Sequence, residues 1–225
     1  GQNRNIALID SFYKSKDEKL SHGEQVQQRM SSPAKFGGLA TDAKYDAYPN
    51  RHRTYSYDYQ LKDTKEDLNT FIGIDSSGFL GGITDNLKTI QKSDKQYDAV
   101  NISMGTNLQN TTYDVLRRLS RKDEKSGRYD YPQLRKELYG KNWEKDDDFT
   151  GADKFKSVID YVRDNLPKNK LFNDTLKEYK DITTQLWGKN TPVVVAAGND
   201  GITDEMALIH DKNQTHTKGL FGNDN

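Results

Sequence analysis

The chain contains no cysteine. That excludes disulfides, thiolate zinc sites and a cysteine nucleophile, and it leaves the compartment open. Neither charge is in excess, with 34 Lys and Arg against 34 Asp and Glu. Such a balance points away from nucleic acid and from anionic membrane surfaces. No run of about 18 apolar residues occurs, so no segment reads as a membrane span. No signal-peptide pattern is present, and the leading Gly1 is compatible with a leader removed upstream. Internal repeats are absent. Hydrophobic residues make up only 32% of the chain, and the mean hydropathy is −1.01. A modest core with long solvated excursions is therefore expected. The apolar residues gather in short β-rich runs, which argues against disorder throughout. At 225 residues the chain is long enough for a single α/β domain with an insertion.

Residues 5–9 (NIALI) form an apolar run ending at Asp10 and read as a buried parallel strand. Residues 54–61 alternate, with Tyr55, Tyr57, Tyr59 and Leu61 on one side, which predicts a half-buried strand. Phe79, Leu80, Ile83, Leu87 and Ile90 repeat at helical spacing. Residues 99–104 (AVNISM) read as a strand. Phe155, Val158, Ile159 and Val162 mark one helix face, and Phe172, Leu176, Tyr179, Ile182 and Leu186 a second. Residues 192–197 (PVVVAA) are the most apolar run and read as a central strand. Strands alternating with helices predict a three-layer α/β fold, a mostly parallel sheet with helices on both faces. Ligands of such sheets sit at the carboxyl ends of the strands. That places the chemistry near Asp10, near residues 103–105, and near Gly198 and Asn199. Residues 107–150 break the alternation and are rich in charge, including Arg117, Arg118, Arg121, Lys122 and Asp146 to Asp148. They read as a helical insertion, solvated at the surface.

Three segments carry candidate chemistry. Asp10 ends the strand of IALIDS. In SHGEQV, Ser21 and Glu24 form an S-x-x-E capping box, which places His22 in the first turn of a helix. In VVVAAGNDG, Asn199 follows the apolar run. Taken singly, a strand ending in Asp, a surface histidine and a Gly-Asn turn are ordinary features of α/β proteins. A D-x-D phosphotransferase would want a second carboxylate where Phe12 stands.

In this order the segments resemble the subtilisin-like (subtilase) serine peptidases, from about residue 3 to residue 201. The family has an apolar strand ending in the triad aspartate, an HG-x-x-V segment, a strand ending in S-[LM]-G and a strand ending in AAGN. The resemblance implies a single subtilisin-like α/β domain over residues 1–225. It implies Asp10 as the acid that orients the base, His22 as general base, and Asn199 as oxyanion donor. Ser103, Met104 and Gly105 would line the cleft and pair with an extended substrate. A peptide or protein substrate is the implied partner, with the C-terminal remainder of the peptidase as a further one. No cofactor is called for; calcium occurs in the family, but no ligand loop is recognisable here. A secreted or cell-envelope location is implied as well.

The sequence departs from the family at three places. The nucleophile signature G-T-S-x-A does not occur, and Ser157, the last serine, precedes the oxyanion strand. Asp10 and His22 are only 12 residues apart, although 11 intervening residues at about 3.3 Å each reach far enough for contact. The helix after His22 continues with Gln27, Gln28 and Arg29 rather than small apolar residues, which predicts shallow packing. Either the chain is part of a longer peptidase, or it is a non-catalytic, peptide-binding relative. A third reading, an unrelated α/β domain for a small molecule or phosphate, predicts that Asp10 and His22 lie far apart.

Overall fold

A computed structural model describes residues 4–14, 16–31, 43–56, 59–103, 107–145 and 151–195. The described fold is α/β, with four parallel strands and six α-helices. Strand β1 (Arg4–Asp10) is the run from which the rest of the sheet is built. On one side it pairs with β2 (Ala43–Pro49), Arg4 opposite Ala43 and Asp10 opposite Pro49. On the other it pairs with β3 (Ala99–Ile102), Ile9 opposite Ile102. Strand β4 (Val193–Val195) adds to β3, giving the order β2-β1-β3-β4.

Successive residues of a strand point to opposite faces. Ala7 and Ile9 of β1, Val100 and Ile102 of β3 and Val193 of β4 share a core with helix α2 (Lys65–Lys92). Ile6, Leu8 and Asp10 therefore face the other way, toward α1 (His22–Ser31). Asn101 of β3 sits on that face, its amide 3.8 Å from the Met30 sulfur of α1. The connection through α1 runs from β1 outward to β2, and the one through α2 returns past β1 to β3. This reversal is what places the two helices on opposite faces.

Helix α2 is long, capped by Thr64, whose hydroxyl accepts from the Asp67 N–H at 3.2 Å. It buries Leu68, Phe71, Ile72, Phe79, Leu80, Ile83, Leu87 and Ile90, a stripe set by the 3.6-residue period. Helix α6 (Lys170–Gly188) packs along it and buries Phe172, Leu176, Tyr179, Ile182 and Leu186. At Gly82 of α2 the helix meets the chain leaving β2: a Cβ there would lie 2.0 Å from the Arg51 carbonyl oxygen. Only glycine admits that approach, and the loop after β2 is thereby held flat on the helix.

Three sequence expectations need correcting. The alternating tyrosines at 54–61 do not make a strand in the described part. Residues Thr54–Ser56 form a single 3-10 turn. Tyr55 donates to the Ser77 carbonyl at 3.3 Å, and Tyr59 hydrogen-bonds the Asp67 carboxylate. The rings are thus spent pinning a loop to α2. The strand is instead β2, whose mixture of Lys44, Asp46 and two tyrosines carries no apolar signal because it forms an edge of the described sheet. Of residues 192–197, read as a central strand, 193–195 form β4 at the other edge of the described sheet, where Val194 is 52% exposed, and 196–197 lie outside the described residues. The third correction concerns residues 107–150, where the charge predicts a solvated helical insertion. They do contain α3 (Asn107–Leu119) and α4 (Pro132–Tyr139). However, Leu108, Val115 and Leu119 of α3 and Leu134 of α4 enter the core, and α3 packs on α2 and on α5 (Gly151–Asn165). Of the charges of α3, Arg117 is exposed, while Asp114 and Arg118 turn toward α2, Asp114 to Asp75 and Arg118 onto the Phe71 ring. Asp146 to Asp148 lie outside the described residues.

Candidate functional site

The sheet order defines where a site belongs. The chain leaves β1 toward one edge and leaves β3 toward the other, so a crevice opens between their carboxyl ends. Asp10 ends β1 there, and Ser103 follows β3 beside it, its N–H donating to the Ile9 carbonyl at 3.3 Å. The Ser103 hydroxyl is hydrogen-bonded by the Asn101 side-chain amide.

His22 is delivered to this crevice by local structure. Ser21 caps α1: its hydroxyl accepts from the Glu24 N–H at 3.2 Å, and the Glu24 carboxylate accepts from the Ser21 N–H at 2.7 Å. Both halves of the capping box are therefore made. The Gly23 N–H, otherwise an orphan donor of the first turn, donates to the Ser11 carbonyl at 2.8 Å. The Phe12 ring lies where a Gly23 Cβ would stand, 2.6 Å away. A backbone hydrogen bond and one ring thus tie the start of α1 to the end of β1, and 11 intervening residues suffice to close the loop. Further along, α1 is only half-buried at Val26 and exposed at Gln28, the shallow packing expected from its polar sequence.

The result is a direct contact. His22 Nδ1 lies 2.7 Å from Asp10 Oδ1. The carboxylate is 1% exposed and the imidazole side chain 57% exposed. Oδ1 also accepts from the Ser11 N–H at 2.6 Å, while Oδ2 is buried with no hydrogen-bond partner among the described residues. Burial pushes the Asp10 pKa up, and the hydrogen bonds from His22 and Ser11 and the charge of the imidazole offset only part of that.

No family model, curated protein or solved structure matches this chain.

What the pair can do follows from its geometry. A buried carboxylate beside Nδ1 favours the tautomer with the proton on that nitrogen. Nε2 is then left with its lone pair, on a side chain more than half exposed, and can take a proton from an attacking group and return it to a leaving group. Of the six residues singled out in the sequence, the structure brings Asp10 and His22 together and sets Ser103 beside the end of β1, hydrogen-bonded to the Ile9 carbonyl. Met104, Gly105 and Asn199 lie outside the described residues. The pairing of Asp10 with His22 excludes the expectation, under an unrelated fold, that they lie far apart.

One participant escaped the sequence reading. Asn50, just past β2, donates its N–H to the Asp10 carbonyl at 2.9 Å, and its side-chain oxygen is buried with no hydrogen-bond partner among the described residues. It holds the end of β2 level with Asp10. Its position follows from an edge strand with no apolar pattern, so nothing local to Asn50 gives it away. Among the described residues no group of three or more His, Asp or Glu could hold a metal ion. No helix among them is long and apolar enough to cross a membrane.

Proposed function

We propose that this chain carries the acid, the base and the oxyanion donor of a subtilisin-like serine endopeptidase, with the serine nucleophile outside these 225 residues. The contact between a buried Asp10 and a half-exposed His22 at the crevice between β1 and β3 carries the reading. Its support is the coincidence of three independent features: the site lies where parallel sheets bind ligands, the histidine is held by a full capping box, and Nε2 is the nitrogen left open. Asn199, after the apolar run of β4, would donate to the oxyanion. Residues 103–105, after β3, would pair with the substrate backbone. Such a triad acts as a unit, so the chain alone is inert toward peptide bonds. The alternative is a peptide-binding, non-catalytic domain of the same fold, which the absence of a G-T-S-x-A segment favours within this chain.

The full product of the reading frame separates the two. For a peptidase, a fluorophosphonate labels one serine outside residues 1–225, and His22→Ala lowers kcat by about 10⁴ or more. Absence of labelling together with saturable peptide binding selects the alternative. Hydrolysis that survives His22→Ala unchanged, or labelling of a serine within these residues, overturns the peptidase reading.

A further inference from the structure

Between α2 and α3 runs a chain of buried polar groups whose donors can be counted. Ser76 and Thr111 are fully enclosed, and their hydroxyl oxygens lie 2.6 Å apart. The Thr111 hydroxyl donates to Asp75 Oδ2 at 3.1 Å. A hydroxyl has one proton to give, so Ser76 is the donor to Thr111. Asp75 is itself buried, and its carboxyl is hydrogen-bonded to that of Asp114. Ionised carboxylates only accept. The contact of Asp75 with Asp114 therefore needs an acid proton, and neither hydroxyl can supply it.

The surroundings decide which acid is the better seat for that proton. Asp114 is half-buried, with the Arg117 guanidinium of its own helix 3.3 Å away. Asp75 is deeper, and burial disfavours its charged form. Arg118 faces it from α3, with its guanidinium 4.9 Å from the centre of the Phe71 ring; its charge opposes the effect of burial and of Asp114 without overcoming them. From the loop after β2, His52 faces Asp114 and stands edge-on to Phe79, with ring centres 5.5 Å apart. Burial pushes the imidazole pKa down, so His52 brings no positive charge near neutral pH.

Loss of the proton sets two negative charges in one contact, one of them buried. Of the two helices, α3 is the one placed to respond. It commits Leu108, Val115 and Leu119 to the core, whereas α2 commits a stripe along its whole length. Asp75 also lies ahead of the stretch where α2 meets the strand ends. There the Gly78 carbonyl accepts from the Arg53 N–H at 2.9 Å, and the Asn86 amide donates to the Pro49 carbonyl at 3.0 Å. Helix α2 can thus stay seated on the sheet while α3 lifts, as segments with few buried apolar contacts do.

We propose that the contact between α2 and α3 is a proton-operated latch, closed while Asp75 shares an acid proton with Asp114 and opened by its loss, with α3 parting from α2 while the sheet stays folded. Helix α3 starts four residues after Ser103, so the latch bears on the chain that leaves the crevice. It acts independently of the chemistry assigned to Asp10 and His22.

Native-state hydrogen exchange reads the latch amide by amide. The closed state holds a proton that the open state, with Asp75 in water, releases. Closure is therefore complete below the ordinary carboxyl range and weakens as pH rises toward the raised value of the buried acid. Between pH 5 and 7, once intrinsic exchange rates are divided out, the protection of α3 amides should fall about tenfold per pH unit. At each pH it should stay below the protection of β1 and β3. In Asp75→Asn the fall should vanish, and Asp75→Ala, which also has nothing to titrate, should abolish it equally. The proposal is overturned if α3 amides are as protected as those of β1 and β3, which would mean that α3 opens only with the whole fold. It is also overturned if α3 protection in the parent changes by less than about twofold per pH unit, or if the full slope survives in either variant.

Discussion

A buried carboxyl of α2, beside a half-buried one of α3, makes the stability of this protein depend on pH in an unusual direction. Asp75 of α2 is 9% exposed. Its carboxyl is hydrogen-bonded to Asp114 of α3 and accepts from the Thr111 hydroxyl at 3.1 Å. Burial raises the Asp75 pKa from 3.8 to about 8, with Asp114 as hydrogen-bond partner and like charge adding to the rise; Thr111 and the positive charge of Arg118 oppose it. The pair therefore holds a proton that the unfolded chain has already lost. Because the folded pKa lies above the unfolded one, the stabilisation is complete at pH below the unfolded value and is lost as pH rises toward the folded value. Between the two, the folded state holds one more proton than the unfolded state, so stability falls by about 1.4 kcal/mol per pH unit from this group. From about pH 5 to pH 7 the loss is on the order of 3 kcal/mol. Asp75→Asn reproduces the shape of the protonated acid, can accept from Thr111 and donate to Asp114, and has nothing to titrate. Urea unfolding of the variant and the parent across this range gives the difference directly. That difference is expected to move in favour of the variant by about 1.4 kcal/mol per unit as pH rises. A difference that stays constant within about 0.5 kcal/mol would refute the shared proton.

Three further outcomes follow from the same contacts. Gly82→Ala sets a methyl group against the Arg51 carbonyl, and should cost about 1–3 kcal/mol by urea unfolding despite the better helix propensity of alanine; a gain in stability would contradict the close approach. Ser21→Ala removes one half of the box that holds His22, and should cost about 1 kcal/mol; an unchanged midpoint would mean that α1 is held by other means. Asp10→Asn retains an acceptor for Ser11 and His22 while removing a buried charge whose pKa is raised by burial. The penalty for that charge is absent below the unfolded pKa and grows as pH rises, so the variant should be at least as stable as the parent near neutral pH and gain on it with rising pH; thermal melts showing a clear loss would count against it.

The parts of the fold that the sequence revealed are those with a single strong period. The apolar run of β1 and the stripes of α2, α5 and α6 bury one face or both, so their burial is written locally. Strand β2 is hidden for the opposite reason: an edge strand with Lys44 and Asp46 buries too little to leave a pattern. The tyrosines after it imitate a strand because alternation measures which way side chains point, not which partner the backbone finds. Residues 107–150 read as solvated when charge is weighed over the whole segment, whereas α3 spends its few apolar residues on one face. At the site, the capping box is legible because it is a four-residue signal. The contact of His22 with Asp10 is inferable only from the resemblance. Asn50 is not legible at all, since what recruits it is the neighbouring strand end.

The tautomer of His22 puts the central claim to its most direct test. Long-range nitrogen–proton NMR on histidine-labelled protein, at alkaline pH and assigned with His22→Ala, reads which ring nitrogen carries the proton. Asp10 at 2.7 Å from Nδ1 requires the proton on Nδ1, a free Nε2, and loss of that preference in Asp10→Ala. A proton on Nε2, or a spectrum indifferent to Asp10→Ala, would show that the two residues do not form an acid–base pair.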